Sequence, residues 1–193
     1  KVLAITFTNK AANEIKNRLS LEIGNEDVAR EIWAGTFHSI CMRILRVHGE
    51  KLGYRPNFSI YDADDTKKAI TSSMKALNID EKAFPIKTVI HIISSAKDKL
   101  MTPEMLEDCD TSDYRTRKIA KIYAHYQETM LSSNAMDFDD LIVKTVELFK
   151  SCPEISSDCF PRRNIVSFLL YMGMFSNALP SSSHFLHNSF LSF

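Results

Sequence analysis

Three short stretches of this chain carry side chains suited to meeting a ligand. The first is Thr6-Phe7-Thr8-Asn9-Lys10, where hydroxyls, an amide, an ammonium and backbone N–H groups stand together. Each can donate to a phosphate oxygen, and a phenyl ring beside them can stack on an unpaired base. The second, Gly35-Thr36-Phe37-His38-Ser39, repeats that chemistry further along. Gly35 permits a close backbone approach or an unusual φ, Thr36 and Ser39 can cap a helix or bond phosphate, and His38 can donate without permanent charge. The third, Asp137-Phe138-Asp139-Asp140, clusters carboxylates that could hold Mg²⁺ or exchange protons.

Each stretch also has a plainer account. Phe7 fits equally as the last core residue of a strand, Thr8 or Asn9 as an N-cap, and His38 as a structural residue. Asp137 and Asp140 are spaced as the N-cap and N3 of a helix, with no His motif or partner carboxylate nearby, so capping is favoured over metal binding. Cys41 lies three residues from His38 but belongs to an apolar stripe, and no thiol nucleophile or Ser-His-Asp arrangement is expected.

The elements that must position these residues alternate at first. An apolar run from Val2 to Phe7 reads as a strand, and Ala12, Ile15, Leu19 and Ile23 then repeat at helical spacing. Glu31 to Thr36 is a second short strand, followed by a helix with Ile40, Cys41, Ile44 and Leu45 on one face and Arg43 and Arg46 on the other. Alternating strands and helices predict a parallel α/β sheet. From residue 54 to 135 the pattern is helical throughout. Asp62 and Asp65 cap a helix with Ile70, Met74 and Leu77. Pro85 starts another with Ile86, Val89, Ile90 and Ile93. Thr102-Pro103 opens a short one, and Ser112 opens a long one with Ile119, Ile122, Tyr123, Tyr126 and Met130. After Asn134, Asp137 caps a helix that buries Leu141, Ile142, Thr145, Val146 and Phe149. The simplest organisation is an α/β unit interrupted by an inserted helical block.

Composition bounds the partners. The 24 basic and 24 acidic side chains cancel, so any attraction to a polyanion has to be local. Four cysteines without a CxxC pair give neither a zinc site nor a disulfide framework, and reduced thiols in a cytoplasm are expected. The chain opens directly on a strand-like segment, without an initiator Met or a leader pattern, and so reads as part of something longer. Among the charged residues only Glu154, Asp158, Arg162 and Arg163 lie beyond residue 150. From Asn164 to Phe193 there is none. The apolar stretch Ile165–Phe175 falls short of the roughly 18–20 residues a membrane span needs, and no membrane partner is expected.

Together the stretches carry a resemblance. Thr6-Phe-Thr-Asn-Lys-Ala-Ala12 resembles motif Ia of the UvrD/PcrA/Rep family of superfamily 1 DNA helicases, and Gly35-Thr-Phe-His-Ser39 resembles its motif Ib. Phe58-Ser-Ile-Tyr-Asp62 with Asp65 is similar to the family's approach to its helical 1B subdomain. Met136-Asp-Phe-Asp-Asp-Leu141 resembles the return to the RecA-like 1A core. The resemblance implies an α/β fold: a partial RecA-like parallel sheet, of P-loop NTPase type, with an inserted all-helical subdomain. Residues 1–53 would belong to domain 1A, 54–135 to subdomain 1B and 136–150 to 1A again, with 151–193 an aberrant or unassigned tail, uncharged from Asn164 on.

The same resemblance implies that Thr6, Phe7, Thr8, Asn9 and Lys10 line a single-stranded DNA track, with Thr36, Phe37 and His38 beside it. Asp137, Phe138 and Asp139 would lie at the subdomain junction, also near DNA. The parent would use ATP and Mg²⁺ to move 3′-to-5′ on single-stranded DNA and unwind duplex junctions. It would work in the cytoplasm near the nucleoid, with repair or replication proteins as further partners. No GxxxxGK[ST] phosphate loop occurs in this chain. Where the family has an Asp-Glu pair for Mg²⁺, this chain reads Asn164-Ile-Val-Ser-Phe-Leu-Leu-Tyr171. The expectation is therefore a fragment without catalytic residues, cofactor, metal or ATPase activity, and a tail from about residue 155 that is an out-of-frame or misjoined extension. The other readings are a non-catalytic DNA-binding or protein-interaction module, and part of a RecB- or AddA-like nuclease-helicase subunit.

Overall fold

Strand ends and helix caps set the architecture. A computed structural model describes residues 3–6, 8–23, 33–109 and 113–155. In chain order the elements are β1 (Leu3–Thr6), α1 (Asn9–Ile23), β2 (Trp33–Thr36), α2 (Phe37–His48) and a 3₁₀ turn at Gly49–Leu52. They continue with β3 (Ser59–Tyr61), α3 (Ala63–Ala76), α4 (Ile86–Asp98), α5 (Pro103–Glu107), α6 (Tyr114–Ser132), β4 (Ala135–Asp137) and α7 (Phe138–Ser151). Helix dominates, and the strands form two small parallel sheets. β1 pairs β2 with Leu3 opposite Trp33 and Thr6 opposite Thr36. β3 pairs β4 with Ser59 opposite Ala135 and Tyr61 opposite Asp137.

Caps predicted from the residue types are present. The Asp62 carboxylate accepts from the Asp65 N–H at 2.9 Å, and the Thr102 hydroxyl accepts from Met105 ahead of Pro103 at the start of α5. Asp137 and Asp140 form a reciprocal capping box on α7. The long helix α6 starts one step later than its expected cap: Asp113 accepts from the Thr116 N–H, while Ser112 lies outside the described residues. Strands β3 and β4 are a departure from the all-helical reading of 54–135. Three-residue strands are too short to show a period of two, and pairing across the chain, rather than local pattern, creates them.

Two hydrophobic clusters follow. One joins Ile40, Cys41, Ile44 and Leu45 of α2 to Leu141, Val146 and Phe149 of α7, closed by Tyr54 and Phe58. The other joins Ile70 and Met74 of α3, Val89 and Ile93 of α4, and Ile119, Ile122, Tyr126 and Met130 of α6. The stripes expected on α2 and α6 are buried, and on α4 Val89 and Ile93 are buried while Ile86 and Ile90 are half-buried. Asn134, at φ 50°, ties the two ends of the helical block together. Its side chain accepts from the Arg55 N–H at 2.8 Å, and its carbonyl accepts from the Ser59 N–H at 2.9 Å.

Candidate nucleic-acid interface

Three helix starts converge at one end of the molecule. Thr6 and Thr36 are cross-strand partners at the carboxyl ends of β1 and β2, so the turns that follow them are neighbours. α2 packs along α7, and their first turns meet where the His38 ring stands edge-on to Phe138, centroids 5.9 Å apart at 70°. Phe138 is 53% exposed.

In the first turn the Thr8 hydroxyl accepts from the Ala11 N–H at 3.2 Å and caps α1. In the second, Thr36 accepts from the Ser39 N–H at 3.3 Å, and the Ser39 hydroxyl donates to the Thr36 carbonyl at 2.8 Å. A capping threonine uses only an acceptor lone pair for the helix, so its own O–H proton stays available to a ligand oxygen. Thr8, Asn9 and Lys10 are all exposed. The positive end of a helix dipole stands behind each cap. This end can therefore receive an anion such as a phosphate. Gly35 is explained by close approach within the chain: a Cβ there would lie 2.5 Å from the Ser39 hydroxyl and 3.2 Å from Ile40 Cδ1.

Phe37, Asp137 and Asp139, also expected at the DNA, are engaged within the chain, as are the nearby Arg43 and Arg46. Phe7 lies outside the described residues. Phe37 is half-buried against the α2–α7 cluster. Arg43 lies over the Trp33 ring at 4.4 Å, and Arg46 lies over Phe58 at 3.9 Å while donating to the Pro56 carbonyl. Asp139 accepts from the Ser94 hydroxyl at 2.7 Å. Asp137 turns inward, 6% exposed, where it accepts from the Asp140 N–H, from Tyr126 Oη at 2.7 Å and from Lys97 Nζ.

Lys97 is the residue that sequence reasoning missed. Its side chain is wholly buried, and its ammonium also pairs with Asp140 at 2.8 Å and lies 5.1 Å over the Tyr126 ring. The signal was present: Val89, Ile93 and Lys97 follow at successive i+4 steps, so a lysine stands on the apolar stripe of α4. One ammonium faces two carboxylates. The excess negative charge is met by Tyr126 Oη, by Gln127 Nε2 on Asp140 at 3.1 Å and by the capping N–H groups. Burial alone would lower the Lys97 pKa, but Asp140 and Asp137 outweigh it and hold it above its ordinary value. Burial would raise Asp137, yet Lys97 keeps it below the usual carboxylate range. Asp140 goes up, because burial and the neighbouring Asp137 charge exceed the pull of Lys97.

Elsewhere, burial pushes the Cys41 thiol up to about 12, which makes it an inert core group. Asp137 and Asp140 share Lys97, while Asp139 accepts from Ser94, all from the helical block. Among the described residues no three His, Cys, Asp or Glu side chains are grouped as metal ligands. No helix among them is long and apolar enough to cross a membrane.

The family model described as the UvrD/REP helicase N-terminal domain matches residues 1–166. The chain belongs to that family. It is 44% identical over 154 residues to the ATP-dependent DNA helicase PcrA of Staphylococcus aureus, and 43% identical over 153 residues to that of Staphylococcus epidermidis. The matches cover 80% and 79% of this chain, and 21% of each relative. The chain thus spans about a fifth of the length of these relatives.

Nucleotide chemistry finds no seat among the described residues of this family member. The turns after β1 and β2 carry threonine caps and neither is a glycine-rich loop ending in lysine. The space beneath Gly35 is filled by Ser39 and Ile40, which leaves no cradle for a phosphate chain. Among the described residues, these turns do not fit ATP and its Mg²⁺.

Proposed function

We propose that residues 1–150 supply the strand-gripping surface of a UvrD-like ATP-dependent DNA helicase. In this reading residues 1–53 and 136–150 are parts of a RecA-like domain 1A, and 54–135 are subdomain 1B. β1–β2 and β3–β4 are then pieces of one RecA-like sheet. The grip comprises Thr6, Phe7, Thr8, Asn9, Lys10, Thr36, Phe37 and His38, with Phe138 as an added stacking ring. Asp137 and Asp139 serve it indirectly, through the turn they hold. The parent protein, using ATP and Mg²⁺, moves 3′-to-5′ on single-stranded DNA and opens duplex junctions during repair or replication, near the nucleoid. The fragment alone turns over no ATP.

One observation carries this reading: the starts of α1, α2 and α7 converge on one end, with free-proton threonine caps and the exposed Phe138 ring beside His38. Phosphate contacts grip without reading sequence, and a ring adds base stacking. The test is fluorescence anisotropy of a labelled oligothymidylate titrated with the chain at several NaCl concentrations. Weak binding that falls steeply with salt is expected. Absence of binding at low salt, or binding indifferent to salt, overturns the proposal. DNA-stimulated ATP turnover by the same preparation would overturn the inactivity of the fragment.

A further inference from the structure

The turn between β4 and α7 closes its own capping box, and its carboxylates are also held from the helical block. Its three carboxylates accept from Lys97 and Ser94 of α4 and from Tyr126 and Gln127 of α6. All four donors belong to the helical block. Between Asp137 and Asp139 stands Phe138, turned outward to the His38 ring. A turn with its flanking side chains anchored on both sides has little freedom in where the middle one points.

We propose that Lys97 is a positioning residue for Phe138: by holding Asp137 and Asp140 from the helical block, it sets the turn that presents the ring beside His38. Lys97 itself touches no ligand. Its ammonium draws both acidic caps inward, which also keeps two negative charges off a surface meant for phosphate. The seating of the helical block and the aim of the ring are consequently one equilibrium, so a shift of α4 relative to α7 moves Phe138. The geometric part stands alone, and its effect on DNA rests on the gripping role proposed above.

The test uses the whole chain and two readouts. The first is the NMR shift of the His38 ring protons, which report the Phe138 ring current. The second is affinity for oligothymidylate. Phe138→Ala calibrates both, removing the ring current and weakening binding about tenfold if the ring stacks. Lys97→Met, in a sample that still melts cooperatively, should move the His38 signals toward their Phe138→Ala positions and lose a similar affinity. Loss of stability alone would leave those signals in place. A folded Lys97→Met with unmoved His38 signals overturns the proposal. Should that variant fail to fold, Tyr126→Phe removes one donor and keeps the charges. A partial shift in the same direction then supports the proposal, and none overturns it. A parent chain that binds no DNA while His38 still responds to Lys97→Met sinks the gripping role and leaves the positioning role standing.

Discussion

The turns after β1 and β2 and the turn after β4 are built alike, each a strand feeding a capped helix, yet they spend their polar groups oppositely. Thr8 and Thr36 cap with hydroxyls near solvent and retain a proton to donate. Asp137 and Asp140 cap with carboxylates that have no proton to offer, and both are drawn inward onto Lys97, Tyr126 and Gln127. The first pair of turns leaves its threonine hydroxyl protons unspent among the described residues. The third consumes its chemistry in fixing its own shape and leaves only an aromatic ring outside. Residue type at a cap therefore says less about binding than whether its remaining valences are already taken.

The comparison breaks most violently at Lys97. Lys97→Met leaves two buried carboxylates uncompensated and should cost about 3–5 kcal/mol in urea unfolding. A cost below about 1 kcal/mol would mean water reaches the site and the two kinds of turn are less different than they look.

Acidity separates the turns next. Asp137 is lowered, so its contribution is complete above the ordinary carboxylate pKa and is lost as pH falls through the folded value. Lys97 is raised, so its contribution is complete below the ordinary lysine pKa and is lost as pH rises beyond it. Asp140 is raised and works the other way at acid pH, where its protonation favours the folded state and blunts the Asp137 loss. Stability should fall as pH drops below the ordinary carboxylate range, and fall again as pH rises past the ordinary thiol pKa of about 8.5, where the buried Cys41 thiol and then Lys97 lose their contributions. In Asp137→Asn the acid limb should flatten, and a thermal-melt series whose acid limb is unchanged would remove Asp137 from this role.

Phe138→Ala sharpens the comparison from the other direction. It should cost about 1–3 kcal/mol of single-strand affinity, and well under 1 kcal/mol of stability given the ring's exposure. The reverse ranking would make the ring a packing residue. The smallest effect belongs to Thr8→Ala, an exposed cap worth about 0.5–1 kcal/mol of stability. Its loss of DNA affinity should scale with the phosphate contact its hydroxyl provides, and salt-titrated anisotropy measures that loss.

Much of the scaffold was legible because it is written locally. The stripe Ile40–Cys41–Ile44–Leu45, the Asp62 and Thr102 caps and the Asp137–Asp140 pair follow from period and capping chemistry, and each stands where the spacing put it. Strands β3 and β4 were not legible, because three residues hold no period and their pairing joins positions far apart in the chain. The candidate site divides the same way. The two threonine turns were readable from residue type. The inward turn of Asp137 was not, because it depends on Lys97 arriving from α4. A charged residue on an apolar stripe is the local trace that such a partner leaves.

Asn134 and the β3–β4 rung have a topological consequence. β3 and β4 are adjacent and parallel, so everything from residue 62 to 134 is one crossover connection, the kind that a single helix ordinarily provides. Here the crossover has grown into four helices with a core of their own. Both of its ends are fastened to one rung, so its length is free of the sheet it serves. Further insertion at exposed points such as the α3–α4 loop would cost little more than the slow logarithmic entropy of a longer loop.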